Sequence, residues 1–129
     1  MALLMLLLDT SAWVEYFIGS QKGVKIRDIL EGEEITTSII SLIELSCKAY
    51  KEATDFAQQM DFIKQHSAIL NVDEEIVVAV GKTYRELRAR NKKAGLADAV
   101  IATTAKLHNA YIVTCDYDFK GLEGIRLIS

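Results

Sequence analysis

Four acidic residues sit in places where a carboxylate needs a reason. Asp9 ends the apolar run "ALLMLLL", and Glu44 lies inside "IISLIELSC". Asp98 stands near the start of the alanine-rich "LADAVIATTAKLHN", and Asp116 follows "AYIVTC". Each has an ordinary explanation. Asp9 before Thr10 and Ser11 matches helix N-cap chemistry. Glu44 reads as one half of an i,i+4 pair with Lys48. Asp98 reads as a first-turn acid satisfying a helix dipole. Asp118 reads as the start of the turn "DYDFKG". Thr10, Ser11 and Thr114 read as caps, or as hydroxyls that order the acids.

The rival explanation is that the four acids meet. Like charges held close raise one another's pKa values, and a bound divalent cation removes that penalty. Oxygen donors without clustered His or Cys point to Mg²⁺ or Mn²⁺ rather than zinc. His66 and His108 fall in no ligand spacing and read as structural or surface residues. Cys47 and Cys115 lie in no metal or redox spacing and read as free thiols of a cytoplasmic protein.

Elements that would bring the acids together follow from the hydrophobic pattern. Residues 3–8 read as a strand buried on both faces. Further strands are expected at 34–37, 68–72, 110–115 and 125–129. Helices are expected at 10–18, 21–31, 39–51, 53–66, 73–90 and 96–109. The fifth of these keeps Ile76, Val80, Tyr84 and Leu87 in helical period. Strands separated by helices argue for a parallel sheet covered on both faces. In such a sheet Asp9 and Asp116 end strands at the same edge, where ligands collect. Ala97, Ala99, Ala102 and Ala105 make the last helix thin, so it packs close to the sheet and carries Asp98 inward.

The chain has 129 residues, half of them hydrophobic and 26% charged, which fits one soluble domain spanning 1–129. The apolar start lacks a basic flank and a small-residue cleavage pattern, so it reads as a strand rather than a secretory signal. No segment reaches the length of a membrane span. The net charge of −3 argues against a globally basic nucleic-acid binder and leaves local patches open.

"LLLDTSAW", "SLIELSC", "GLADAVIATTAKLHNAYIVTCDYDF" and the closing "EGIRLIS" together resemble the PIN-domain family, specifically its VapC-type toxin ribonucleases. The resemblance covers essentially the whole chain. It implies a three-layer α/β/α sandwich around a five-stranded parallel sheet. It also implies a Mg²⁺ or Mn²⁺ site on Asp9, Glu44, Asp98 and Asp116, helped by Thr10, Ser11 or Thr114, with Asp118 in a variable supporting role. The implied reaction is hydrolysis of RNA phosphodiesters. The implied partners are a VapB-like antitoxin and a second copy of the chain.

Arg85, Arg88, Arg90, Lys92 and Lys93 in "RELRARNKKAG" read either as a solvated helix end or as a grip on RNA phosphates. Trp13, Tyr16 and Phe17 read as core or dimer contacts before base-stacking groups. Rival functions are an RNA-processing nuclease of the same fold, a phosphoacceptor signalling domain and a non-catalytic interaction module. The second needs an acceptor aspartate with acidic neighbours, and "EITTS" brings no acid to the edge. A phosphatase with an Asp-x-Asp pair is disfavoured by Ser11.

Overall fold

Strands and helices alternate along residues 4–129, the part of the chain described by a computed structural model. The order is β1 (Met5–Leu8), α1 (Thr10–Ile18), α2 (Gln21–Leu30), β2 (Glu34–Ser38), α3 (Ile39–Glu52) and α4 (Phe56–His66). Then come β3 (Ala68–Leu70), α5 (Glu74–Arg90), α6 (Leu96–Leu107), β4 (Tyr111–Thr114), a 3-10 turn (Tyr117–Phe119) and β5 (Ile125–Leu127). All five strands are parallel, in the order β3-β2-β1-β4-β5. The expected three-layer sandwich is therefore present.

β1 lies at the centre because its leucines can be buried on both faces. Leu6 and Leu8 pack into a core with Trp13, Ile26, Leu42, Leu45 and Ile63 from α1 to α4. Leu7 points the other way, against Ile101 and Ala105 of α6. Burying each leucine contributes about 1.5–3 kcal/mol of transfer free energy. That burial outweighs the weak strand preference of leucine.

Element ends differ from the sequence expectation in a few places. Residue 3 lies outside the described residues, and Leu4 precedes β1. α4 begins at Phe56 rather than 53, because Ala53 turns left-handed to end α3 and Asp55 caps the new helix through Gln58 N–H. β3 stops at Leu70, two residues early, and β5 stops at Leu127. α6 ends at Leu107, with Asn109 at φ 53° closing the turn into β4.

The aromatic residues after Asp9 belong to the core. Trp13 is fully buried, donates from Nε1 to Thr37 Oγ1 at 3.1 Å, and packs with Tyr16, Phe17 and Phe62. His66 stacks on Phe62 at 4.0 Å. α1 and α2 approach closely at Gly23, where a Cβ would stand 2.2 Å from the Glu15 carbonyl oxygen. Cys47 is exposed, Cys115 is buried, and both are free. Among the described residues no helix is long and apolar enough to cross a membrane.

Candidate metal and active site

The chain runs outward from β1 to β2 and β3, then returns to place β4 on the other side of β1. The carboxyl ends of β1 and β4 therefore flank the point where the winding reverses, the usual ligand edge of such a sheet. Asp9 follows β1 and Asp116 follows Cys115 at the end of β4. Glu44 reaches the same edge from α3 and Asp98 from the first turn of α6. All four line one open cleft of about 370 Å³, with Thr10, Ser11, Val14, Glu15, Lys48, Ile101 and Cys115.

Asp9 is nearly inaccessible and is held by three donors. Its Oδ1 accepts from Ser11 Oγ at 2.7 Å and from Ala12 N–H at 2.9 Å. Its Oδ2 accepts from Thr114 Oγ1 at 2.5 Å. Burial pushes the Asp9 pKa up to about 6, against the pull of those donors, and the Asp116 charge adds to the rise. The N-cap role is thus real, and it orients a carboxylate that the core penalises.

The neighbouring groups are tied into the same network. Ser11 Oγ also accepts from Cys115 N–H at 3.0 Å, and Thr114 Oγ1 accepts from Asp116 N–H at 2.9 Å. The Ser11–Cys115 and Asp9–Thr114 bonds stitch the end of β1 to the end of β4 across more than a hundred residues of chain. Asp116 Oδ1 accepts from Asp118 N–H at 2.9 Å. Asp98 Oδ2 accepts from Gly95 N–H at 3.0 Å, closing the first turn of α6. Burial raises the Asp98 pKa, the Gly95 amide opposes it, and the charges of Asp116 and Asp118 raise it further.

Glu44 corrects one expectation. It does not pair with Lys48, whose Nζ bonds Glu52 at 2.7 Å. Its Oε1 instead accepts from Thr10 Oγ1 at 2.5 Å, and that hydroxyl lies 3.1 Å from Ser41 Oγ. Ser41 was not singled out in the sequence. Its signal was the spacing Ser41–Glu44, one helical turn on one face.

The basic cluster divides. Arg88 bonds the Ala94 carbonyl at 3.2 Å and Tyr84 Oη at 3.3 Å, which clamps the α5–α6 connection. Arg90 bonds the Gly121 carbonyl at 3.2 Å. Arg85, Lys92 and Lys93 are exposed. None of the five lines the acid cleft. Asp118 lines an adjoining cavity instead.

The donor set suits a hard divalent cation. Five carboxylates line the cleft, Glu15 of α1 beside the four expected acids, and its one basic lining residue, Lys48, is already paired with Glu52. The Cys115 thiol is pushed up to about 11 by burial and stays protonated, so it offers no thiolate. Among the described residues no three acidic, His or Cys groups form a ready-made cage, so holding an ion requires the carboxylates to turn inward.

Residues 6–125 match the family model described as PIN domain. Ribonuclease VapC11 of Mycobacterium tuberculosis is 32% identical over 119 residues, covering 89% of both chains. Ribonuclease VapC1 of Methanocaldococcus jannaschii is 33% identical over 104 residues, covering 81% of this chain and 70% of its own. Among solved structures, a toxin–antitoxin complex from Klebsiella pneumoniae superposes with TM-score 0.72 at 25% identity, covering 96% of this chain and 98% of its own. VapBC2 from Rickettsia felis, bound to a DNA fragment from its promoter, superposes with TM-score 0.74 at 22% identity, covering 96% and 97%.

Proposed function

The chain belongs to the PIN-domain family, and from that premise we propose that it is a metal-dependent endoribonuclease acting as the toxin of a toxin–antitoxin pair. One observation carries the reading: Asp9, Glu44, Asp98 and Asp116 come from four separate elements into one cleft, which Glu15 also lines, and among the described residues none of the four is in an ion pair. The relatives named as VapC ribonucleases support the activity. The structural neighbours described as toxin–antitoxin complexes support a VapB-like antitoxin as partner. RNA is the substrate, the cytoplasm is the compartment, and a second copy of the chain is the expected oligomeric neighbour.

Asp9, Asp98, Asp116 and Glu44 are the groups that would hold Mg²⁺ or Mn²⁺. Such an ion, when bound, supplies Lewis-acid polarisation of a phosphate and a water of lowered pKa. The protein's share is positioning. Ser11 and Thr114 fix the Asp9 carboxylate plane, so the acid does not swing away when the cleft is empty of substrate. Thr10 fixes one Glu44 oxygen, and among the described residues Oε2 has no hydrogen-bond partner, which leaves it for the ion or its water. Thr114 also fixes the backbone at Asp116, so one hydroxyl coordinates the aim of two acids.

The test is cleavage of a defined RNA pool with Mg²⁺ or Mn²⁺, run beside Asp9→Asn, together with calorimetric Mn²⁺ binding. Cleavage that survives excess chelator would overturn the metal requirement. Full cleavage by a folded Asp9→Asn protein would overturn the site.

A further inference from the structure

Asp98 lines two cavities. One is the acid cleft, and the other is a smaller space of about 160 Å³ beside it. The smaller one has an apolar wall of Leu87, Ala94, Phe119 and Leu122, and a polar rim of Arg90, Asn91, Asp118 and Lys120. Its two cations and two carboxylates cancel, so it does not select for an anion such as a phosphate. Its volume leaves room for a single small ring system. A small cavity with apolar side chains at its base and donors and acceptors at its rim suits an unstacked nucleobase, the part of single-stranded RNA that proteins read.

The two charged rim groups narrow the choice of base. Arg90 gives one Nη2 hydrogen to the Gly121 carbonyl at 3.2 Å, which holds the guanidinium, and among the described residues its remaining donors make no hydrogen bond. Gly121 has φ +90°, a backbone conformation that favours glycine, and a Cβ there would stand 3.2 Å from Arg90 Nη2. The Asp118 carboxylate makes no hydrogen bond or ion pair among the described residues. A guanidinium pairs with O6 and N7 of guanine. A carboxylate accepts two parallel N–H bonds, which guanine supplies on its N1–H and N2–H₂ edge. Adenine places an unprotonated N1 and a donor N6 on these edges, and would leave both groups mismatched.

We propose that this cavity is a guanine subsite, seating the base next to the scissile bond through Arg90 and Asp118. Its place in RNA cleavage rests on the ribonuclease reading, whereas its binding of the base does not. Lys120 then lies at the rim where the RNA backbone leaves the pocket.

The experiment has two arms on the full chain. In the first, GMP, AMP, CMP and UMP are titrated without metal, with backbone amide shifts at Phe119 and Gly121 as the readout. GMP should bind roughly tenfold or more tighter than the other three, and Asp118→Asn and Arg90→Gln should each remove most of that preference. Both positions are exposed, and circular dichroism checks that the variants fold. Equal affinity for all four nucleotides, or a preference unmoved by both substitutions, overturns the subsite. In the second, kcat/KM is compared for RNAs differing only in guanine or adenine at the cleaved step. Cleavage without a guanine preference overturns the subsite and leaves the nuclease standing. Selective GMP binding without any RNA cleavage leaves the subsite standing and overturns the nuclease.

Discussion

The two ends of the sheet carry very different cavities. At the amino ends of β4 and β5 lies the larger one, about 840 Å³, lined by Leu87, Ala102, Ile112 and Ile125 with Glu86 and Lys106 at its rim. Those two charges face each other at 4.0 Å, both well exposed. At the carboxyl ends the cleft is under half that volume, yet five acids line it against a single cation, Lys48, which pairs with Glu52 instead. Size therefore does not mark the chemistry here. Uncompensated charge does, because a fold keeps a buried carboxylate like Asp9 at a cost in stability.

That contrast can be broken most sharply at Asp9. Replacing even an outer-shell partner of a metal ligand costs about 10–100-fold, so Asp9→Asn should lower RNA cleavage by more than about a hundredfold in steady-state assays. Thr10→Val and Thr114→Val come next. Each removes a hydroxyl that aims an acid, and each should weaken Mn²⁺ affinity and cleavage by about 10–100-fold. A loss in cleavage without a loss in Mn²⁺ affinity would show that the hydroxyls act on substrate rather than on the acids.

Stability should move the opposite way. The folded-state pKa of Asp9 is about 6 and the ordinary value is 3.8, so between those pH values the metal-free folded protein binds more protons than the unfolded chain. Stability then falls as pH rises through that window and levels off above it. The penalty is on the order of 3 kcal/mol. Asp9→Asn should raise the melting temperature of the metal-free protein at pH 7, and should flatten the pH profile of denaturant unfolding. A lower melting temperature would mean that the Ser11, Ala12 and Thr114 bonds outweigh the burial penalty. The smallest expected effect is at the other end of the sheet. Glu86→Gln should change cleavage by less than roughly twofold, because an exposed pair is worth little. A larger loss would make the big cavity part of the function.

Much of the fold and of the site is legible in the amino-acid sequence. The unbroken apolar run ending at Asp9 announced a central strand, and "YIVTC" before Asp116 announced a second one. Parallel pairing then put both acids on one edge. Where the reading fell short, the cause was partner choice across the fold. Glu44 has Lys48 four residues on, yet bonds Thr10 from 34 residues away, while Lys48 turns to Glu52. Arg88 and Arg90 look equivalent in "RELRAR", yet one clamps the Ala94 carbonyl and the other seats on Gly121. Lys120 carried no signal at all, since nothing local distinguishes it from a solvated turn.

By itself, the amino-acid sequence determined the alternation of strands and helices, the central place of β1 and the edge at which Asp9 and Asp116 emerge. Those follow from hydrophobic periodicity and from the rule that parallel strands share a direction. Only the tertiary structure decided which hydroxyl holds which acid, which cation reaches the rim, and that Asp98 stands between the acid cleft and the smaller cavity. Hydrogen bonds act over about 3 Å, and contacts at that range between residues far apart in the chain are set by packing.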